Sequence, residues 1–285
     1  MGAVAIARYL ATCLAVLLCA WAPRIALSQT PSPLQEWQYS GGEILASLFE
    51  PNLPDWRFVA GVSSDVQPLY DGSKPYRVEG GPVIDIRYRD VAFLSVGEGL
   101  GVNFLHGPTY RIGVAVGYDL GRSVSDYESH LQGLGNISPA PVAKLFASWV
   151  VSKKFPLILR ADARQFVGGA DGAVGDLEAY MPLPGSSKRF VMFAGPSITF
   201  ADHLYLQREF GVTREQALAS GYPQFDAHPG TNAEGVGFSA TGFVTKNWLI
   251  NVDGAIDRLR GSAAESPITQ KTEQRAIDLT LAYSW

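Results

Sequence analysis

Few side chains in this 285-residue sequence could carry acid–base or nucleophilic chemistry. There are four histidines: His106, His130, His203 and His228. A general base must lie against a nucleophile or an orienting carboxylate. His130, in "SDYESHLQG", comes nearest, beside Ser125, Asp126, Glu128 and Ser129. Neighbours along one loop do not make a triad, and a solvated polar loop accounts for the same residues. His203 after Asp202 has the same weakness. Both cysteines, Cys13 and Cys19, fall in the first 20 residues, and no Cys/His spacing suits zinc. In "GEGLGVNF" glycines alternate, but no helix follows to gather backbone amides around a phosphate, so a bend or bulge is the reading. In "GGADGAVGD", Asp171 and Asp176 offer weak calcium ligation beside the plainer reading of a turn. The expectation is no catalytic residue, no cofactor and no metal.

A second set of charges has a different pattern. In "FPLILRADARQF", Arg160, Asp162 and Arg164 share one parity with Ile158, while Leu157, Leu159, Ala161 and Ala163 share the other. In "YRIGVAVGYDLGR", Tyr110, Ile112, Val114, Val116 and Tyr118 form one face of an extended strand, and Arg111, Gly113, Ala115, Gly117 and Asp119 form the other. A soluble sandwich would turn such charges to water. A membrane barrel would turn them to its lumen, since arginine facing lipid at midplane costs roughly 2 to 4 kcal/mol. Arg111, Asp119, Arg160, Asp162 and Arg164 are the lumen-facing candidates, joined by Asp176 and Glu178.

The elements that would hold these residues decide between the two. Alternating segments occur near 56–63, 76–89, 91–98, 100–105, 110–119, 142–152, 156–166, 175–182, 189–200, 235–245, 247–259 and 274–285. Several reach ten residues, whereas soluble strands run about five or six and tilted membrane strands about nine to eleven. Short breaks such as "SKKF" and "TKN" alternate with long ones such as "GRSVSDYESHLQGLGNISPAP". This predicts an all-β, transmembrane antiparallel barrel of about 10 to 12 strands. The final "AIDLTLAYSW" places Ile277, Leu279, Leu281, Tyr283 and Trp285 on one face, where they would meet lipid and serve as an assembly signal for the barrel-assembly machinery. One segment breaks the rhythm: Thr213 stands three residues before Gln216, a capping box that predicts a short loop helix over 213–221.

The start of the chain sets the compartment. Arg8, an apolar run from Tyr9 to Trp21, and small residues at Ala26 and Ser28 predict a signal peptide over 1–28. Leu18 before Cys19 argues against a lipoprotein. Removing 1–28 takes away Arg8 and Arg24 but no acid, leaving 21 basic against 27 acidic residues, a formal net charge of −6. Such a chain has no nucleic-acid character. Residues 29–55 are expected to form a periplasmic segment carrying an apolar helical run at Ile44, Leu45, Leu48 and Phe49, and 56–285 the barrel, in contact with outer-membrane lipid.

"GYDLGR", "LQGLGNI", "LYLQREFGVTREQALASGYPQFDAHPG", "LRGSAAESPI" and "LAYSW", in that order, resemble the MltA-interacting protein (MipA)/OmpV family of outer-membrane proteins from about Trp56 to Trp285. Asn136 stands where the family pattern has an acid. The resemblance implies a barrel acting as a scaffold between a lytic transglycosylase and a penicillin-binding protein, with a porin-like channel as the other reading and a barrel hydrolase the most distant.

Overall fold

The computed structural model describes residues 54–124, 128–152 and 156–285. The expected signal peptide and nearly all of 29–55 lie outside them. Twelve antiparallel strands close into one barrel: β1 (Trp56–Pro68), β2 (Tyr76–Tyr88), β3 (Ala92–Ser95), β4 (Gly99–Gly107), β5 (Tyr110–Asp119), β6 (Ala140–Val150), β7 (Ile158–Phe166), β8 (Ala173–Pro182), β9 (Phe190–Ala201), β10 (Gly230–Phe243), β11 (Trp248–Leu259) and β12 (Glu273–Ser284). β12 pairs with β1 from Val59↔Ser284 to Val66↔Ile277, so no sheet edge is left at the seam. Among the described residues no helix is long and apolar enough to cross a membrane.

Burial alternates with period two, as a closed sheet with unlike faces requires. On β5, Tyr110, Val114, Val116 and Tyr118 are exposed while Ala115 and Asp119 are buried. On β12, Ile277, Leu279, Leu281 and Trp285 are exposed, whereas Asp278, Thr280 and Ala282 are buried. The exposed rows are apolar and the buried rows largely polar, the inverse of a soluble domain. Aromatics crowd one end of the wall. Trp56 stands opposite Tyr88, Tyr110 opposite Trp149 and Trp248 opposite Tyr283. Ring centroids are 4.7 Å apart for Trp56–Tyr88 and 4.8 Å for Tyr283–Trp285. This girdle lies at the end bearing the short connections and the C-terminus, the turn end.

The opposite, loop end carries helices α1 (His203–Phe210), α2 (Arg214–Ser220) and α3 (Gly261–Glu265) and a 3-10 turn over Glu128–Leu131. α2 is the helix expected from the capping box. Thr213 N–H donates to Gln216 Oε1 at 2.8 Å, Gln216 N–H donates back to Thr213 Oγ1 at 3.3 Å, and Gly221 ends the helix at φ 81°. Neither α1 nor α3 was expected from the sequence. Asp202 caps α1 through Tyr205 N–H at 2.9 Å, but with Arg208 and Glu209 on so short an amphipathic segment the helical period is masked. α1 turns Leu206 and Phe210 inward onto Phe166, Val174, Leu259 and Ala263. Burying each of the two stabilises this end by roughly 1.5 to 3 kcal/mol. A second cluster, Tyr70, Leu131, Leu134, Val212 and Ile268, ties four loops together. The loop end is capped.

The wall is not of even height. β1 pairs with β2 through all thirteen residues, but β3 reaches only from Asp85 to Tyr88. Val96 N–H donates to Ile84 C=O and Val91 N–H to Tyr88 C=O, so even-numbered residues of β2 direct their backbone groups to this side. Above Ile84 no strand among the described residues pairs with this side of β2. Pro82, the first even residue there, has no N–H to leave unpaired. A Cβ added at Gly81 or Gly117, on the two flanks of the gap, would meet nothing within 4 Å.

Candidate functional site

Alternation along β7 and β8 carries the charged residues into the lumen, where they form a connected network. Arg87 on β2 pairs with Asp85 at 2.9 Å and with Glu98, at the tip between β3 and β4, at 2.5 Å. Glu98 lies 4.0 Å from Arg160 on β7. Arg160 lies 3.8 Å from Asp162 and 3.9 Å from Glu178 on β8, and 5.4 Å from the centroid of the Phe146 ring. Arg164 continues the chain to Asp162 at 3.4 Å and to Asp176, which in turn accepts from Thr199 on β9 at 2.5 Å. Every one of these charged side chains is at most 9% exposed. The chain of ion pairs therefore runs from β2, by way of the hairpin tip, to β7 and β8, and the Thr199 hydroxyl joins it to β9.

The network sits between an apolar layer and the underside of the cap. Toward the turn end, Val150, Ile158, Tyr180, Val191 and Phe193 pack together on the inner faces of β6 to β9, with Tyr180 and Phe193 ring centroids 5.4 Å apart. Toward the loop end lies the underside of α1. There Arg122 Nη1 donates to Glu209 C=O at 2.8 Å and to Glu209 Oε2 at 3.2 Å.

Of the lumen candidates, Arg160, Asp162 and Arg164 belong to the network. Asp119 lies at the top of β5, 3% exposed, and accepts from Gly121 N–H at 3.0 Å. Arg111 lies near the turn end and pairs with Asp90 at 2.7 Å. Glu98 was missed because its stretch reads as a glycine bend. The signal available was its acidic side chain amid apolar neighbours. The histidines are dispersed. His106 is exposed on β4, His203 Nδ1 lies 2.6 Å from Ala227 C=O, His228 is exposed before β10, and His130 is exposed in the β5–β6 loop, where Ser125 and Asp126 lie outside the described residues. Asp171 bonds its neighbour Gly172 in a turn while Asp176 is engaged by Arg164 inside the barrel. Among the described residues no group of three or more His, Cys, Asp or Glu is placed to hold a metal ion.

With this geometry the comparisons can be placed. The family model described as MltA-interacting protein MipA matches residues 60–285. The chain belongs to the MipA family. It is an outer-membrane barrel of that family. No curated protein matches it in sequence. Among solved structures it is similar to the "CymD monoaromatic hydrocarbon channel", at 8% identity and TM-score 0.42 over 90% of this chain and 94% of that one. It is also similar to the NanC porin, at 7% identity and TM-score 0.39 over 80% and 98% of the two chains. The translocator domain of the autotransporter NalP from Neisseria meningitidis gives 12% identity and TM-score 0.40 over 90% and 99%.

The cap of this MipA-family barrel carries a pH-sensitive contact. Burial pushes the Glu209 carboxyl up to about 7, against the opposing pull of Arg122. A carboxyl whose folded-state pKa exceeds its usual 4.5 contributes stability below that value and loses it as pH rises toward 7. Amides of His203–Phe210 should therefore be better protected from exchange at pH near 5 than near 8, after correction for intrinsic rates. Glu209→Gln should flatten the difference. Equal protection at both pH values in the unaltered protein would refute this.

Proposed function

We propose that the protein is an interaction barrel of the cell envelope, which positions a lytic transglycosylase and a penicillin-binding protein at the inner face of the outer membrane. The observation that carries this is an interior crossed by side chains. An ion-pair network, an apolar layer below it and a packed cap above it narrow any aqueous path. The family's own description, as an MltA-interacting protein, points the same way. Barrels of this kind turn short connections to the periplasm and long loops outward, which puts the aromatic girdle of the turn end on the periplasmic side. Murein enzymes would then meet the connections between β2 and β3, β4 and β5, β6 and β7, β8 and β9, and β10 and β11.

The test sets partner capture against conduction. Crosslinking in cells should recover murein-cleaving and murein-synthesising enzymes, and the purified barrel in a planar bilayer should conduct weakly. Steady conductance without partners, shifted in ion selectivity by Asp162→Asn and accompanied by no murein enzyme in the crosslinked fraction, would make a porin-like channel the better reading.

A further inference from the structure

Beneath the cap lies a cavity of about 190 Å3, bounded by α1 and the upper ends of the strands. Its wall carries six carboxylates, Asp71, Asp119, Asp176, Glu178, Glu209 and Asp257, against two arginines. Both arginines are engaged: Arg164 with Asp162 and Asp176, and Arg122 with Glu209. Among the described residues neither Asp71, which is exposed, nor Asp257, which is half-buried, has a basic partner within ion-pair distance; Asp71 feels the more distant Arg122 and Arg77, and Asp257 feels the charges of Asp71 and Asp176. Such an excess of like charge in a confined space is unfavourable, and it is relieved by uptake of protons or by entry of a group of opposite sign.

A second observation points to what enters. Asn232 and Gln274 line the same cavity, are 6% and 7% exposed, and each leaves its amide oxygen without a donor. The Gln274 nitrogen is turned back onto Lys271 C=O and Glu273 C=O. The cavity is thus rich in acceptors and poor in donors, and buried acceptors without donors are costly. An occupant must bring both positive charge and several N–H groups. A bare metal ion is a poor fit, because no compact trio of ligands exists among the described residues. Part of the remaining wall is apolar, formed by Phe166, Val174 and Leu259 beside the hydroxyls of Ser197, Thr199 and Tyr205, and the apolar part suits a methylene chain. The volume equals roughly six waters at about 30 Å3 each, enough for a four-carbon chain with amino ends.

The acidic lining continues below. Four residues farther along β11 and β12, Asp253 and Asp278 stand directly opposite one another, and Asp65 on β1 stands opposite Asp278. Three adjacent strands therefore present three carboxylates in register, about 13 Å along the strand from Asp257 at about 3.3 Å per residue. Carboxyl groups aligned in this way relieve their mutual repulsion by taking up protons or by a cationic neighbour.

We propose that the cavity binds an aliphatic amine bearing two or more ammonium groups, with one ammonium between Asp71 and Asp257 and the methylene chain against Phe166, Val174 and Leu259. An ammonium supplies three donors, and its hydrogen bonds to carboxylates are charge-assisted. The proposal is independent of the murein reading, since it concerns the opposite end of the barrel.

The test is calorimetric titration of the purified full barrel in detergent, at about 0.15 M salt so that exposed pairs are screened beyond about 8 Å. The probes are diaminobutane, butylamine and butanediol. Diaminobutane should bind saturably, butylamine about tenfold or more weaker, and butanediol not at all, a tenfold step being about 1.4 kcal/mol. Asp257→Asn should weaken diaminobutane by about tenfold, the worth of one charge-assisted pair, while Asp55→Asn, on the exposed rim beside Arg89, should change nothing. The mobility difference between boiled and unboiled protein reports whether each variant is folded. Should Asp257→Asn fail to fold, competition in the unaltered protein decides. Displacement of diaminobutane by an equal concentration of Mg2+, equal binding of diaminobutane and butanediol, or unchanged affinity in folded Asp257→Asn would each overturn the proposal.

Discussion

Arg160→Ala should be among the most damaging single substitutions in the barrel interior, costing about 3 to 5 kcal/mol of stability in a reversible denaturant titration from lipid vesicles. Arg160 stands between Glu98, Asp162 and Glu178, at 3.8 to 4.0 Å, and its side chain is 2% exposed; Glu98 also meets Arg87 and Asp162 also meets Arg164. Removing it takes one shared countercharge from these carboxylates in a low-dielectric interior, which is far worse than never having placed them there. Two further outcomes follow. Glu98 loses its link to β7, so its carboxylate is left to Arg87 on the β2 side of the lumen, and single-channel conductance should rise. Combining Arg160→Met with Glu178→Leu should recover much of the lost stability, because charge and countercharge leave together. A loss below 1 kcal/mol, with conductance unchanged, would show that the network is not what closes the lumen.

The second large effect concerns the last strand. Tyr283→Ser with Trp285→Ser should lower the amount of assembled protein in the outer membrane by about tenfold, and Ser284→Ala should leave it nearly unchanged, since lipid-facing and lumen-facing positions alternate. The exposed row Ile277, Leu279, Leu281 and Trp285 ends in an aromatic pair, and Trp285 N–H closes the seam by donating to Phe58 C=O at 3.0 Å. We propose that this row is what the barrel-assembly machinery reads. Ala282 makes a poor control. It is fully buried, and a Cβ on Gly61 would come within 2.6 Å of it, so a larger residue there damages the seam for a packing reason. Heat-modifiable mobility and membrane fractionation read the result. Equal loss from Ser284→Ala would remove the argument from parity.

The strands were legible because their information is local. Tyr110 to Asp119 and Glu273 to Ser284 each state which side faces lipid within ten or twelve residues, and period two cannot drift. The charged triplet Arg160, Asp162 and Arg164 could be read as one face for the same reason. Which charges meet across the barrel could not be read, since Glu98 and Arg160 are 62 positions apart and are joined only by closure of the sheet. The row Asp65, Asp278 and Asp253 is hidden likewise, each aspartate being one polar residue in its own strand until register aligns them. Segment ends were less clear than centres. β1 runs on to Pro68 and β10 begins at Gly230, because ladder hydrogen bonds extend strands beyond the apolar alternation that marks them. α1 was hidden because Asp202 and His203 invite a reading as chemistry before a reading as a helix cap.

The short β3 has a consequence for the membrane itself. Between Tyr76 and Pro82, one flank of β2 presents amide and carbonyl groups where the other strands present only apolar side chains, and hydrocarbon cannot satisfy such groups at a cost of less than several kcal/mol each. Lipid beside this flank is therefore drawn to place its glycerol and headgroup oxygens, with their water, lower than elsewhere around the circumference. Val78, 72% exposed, stands at the middle of this stretch. A barrel with such a flank in the bilayer is expected to thin the lipid on one side and to sit tilted, which gives its surroundings a direction in the plane of the membrane.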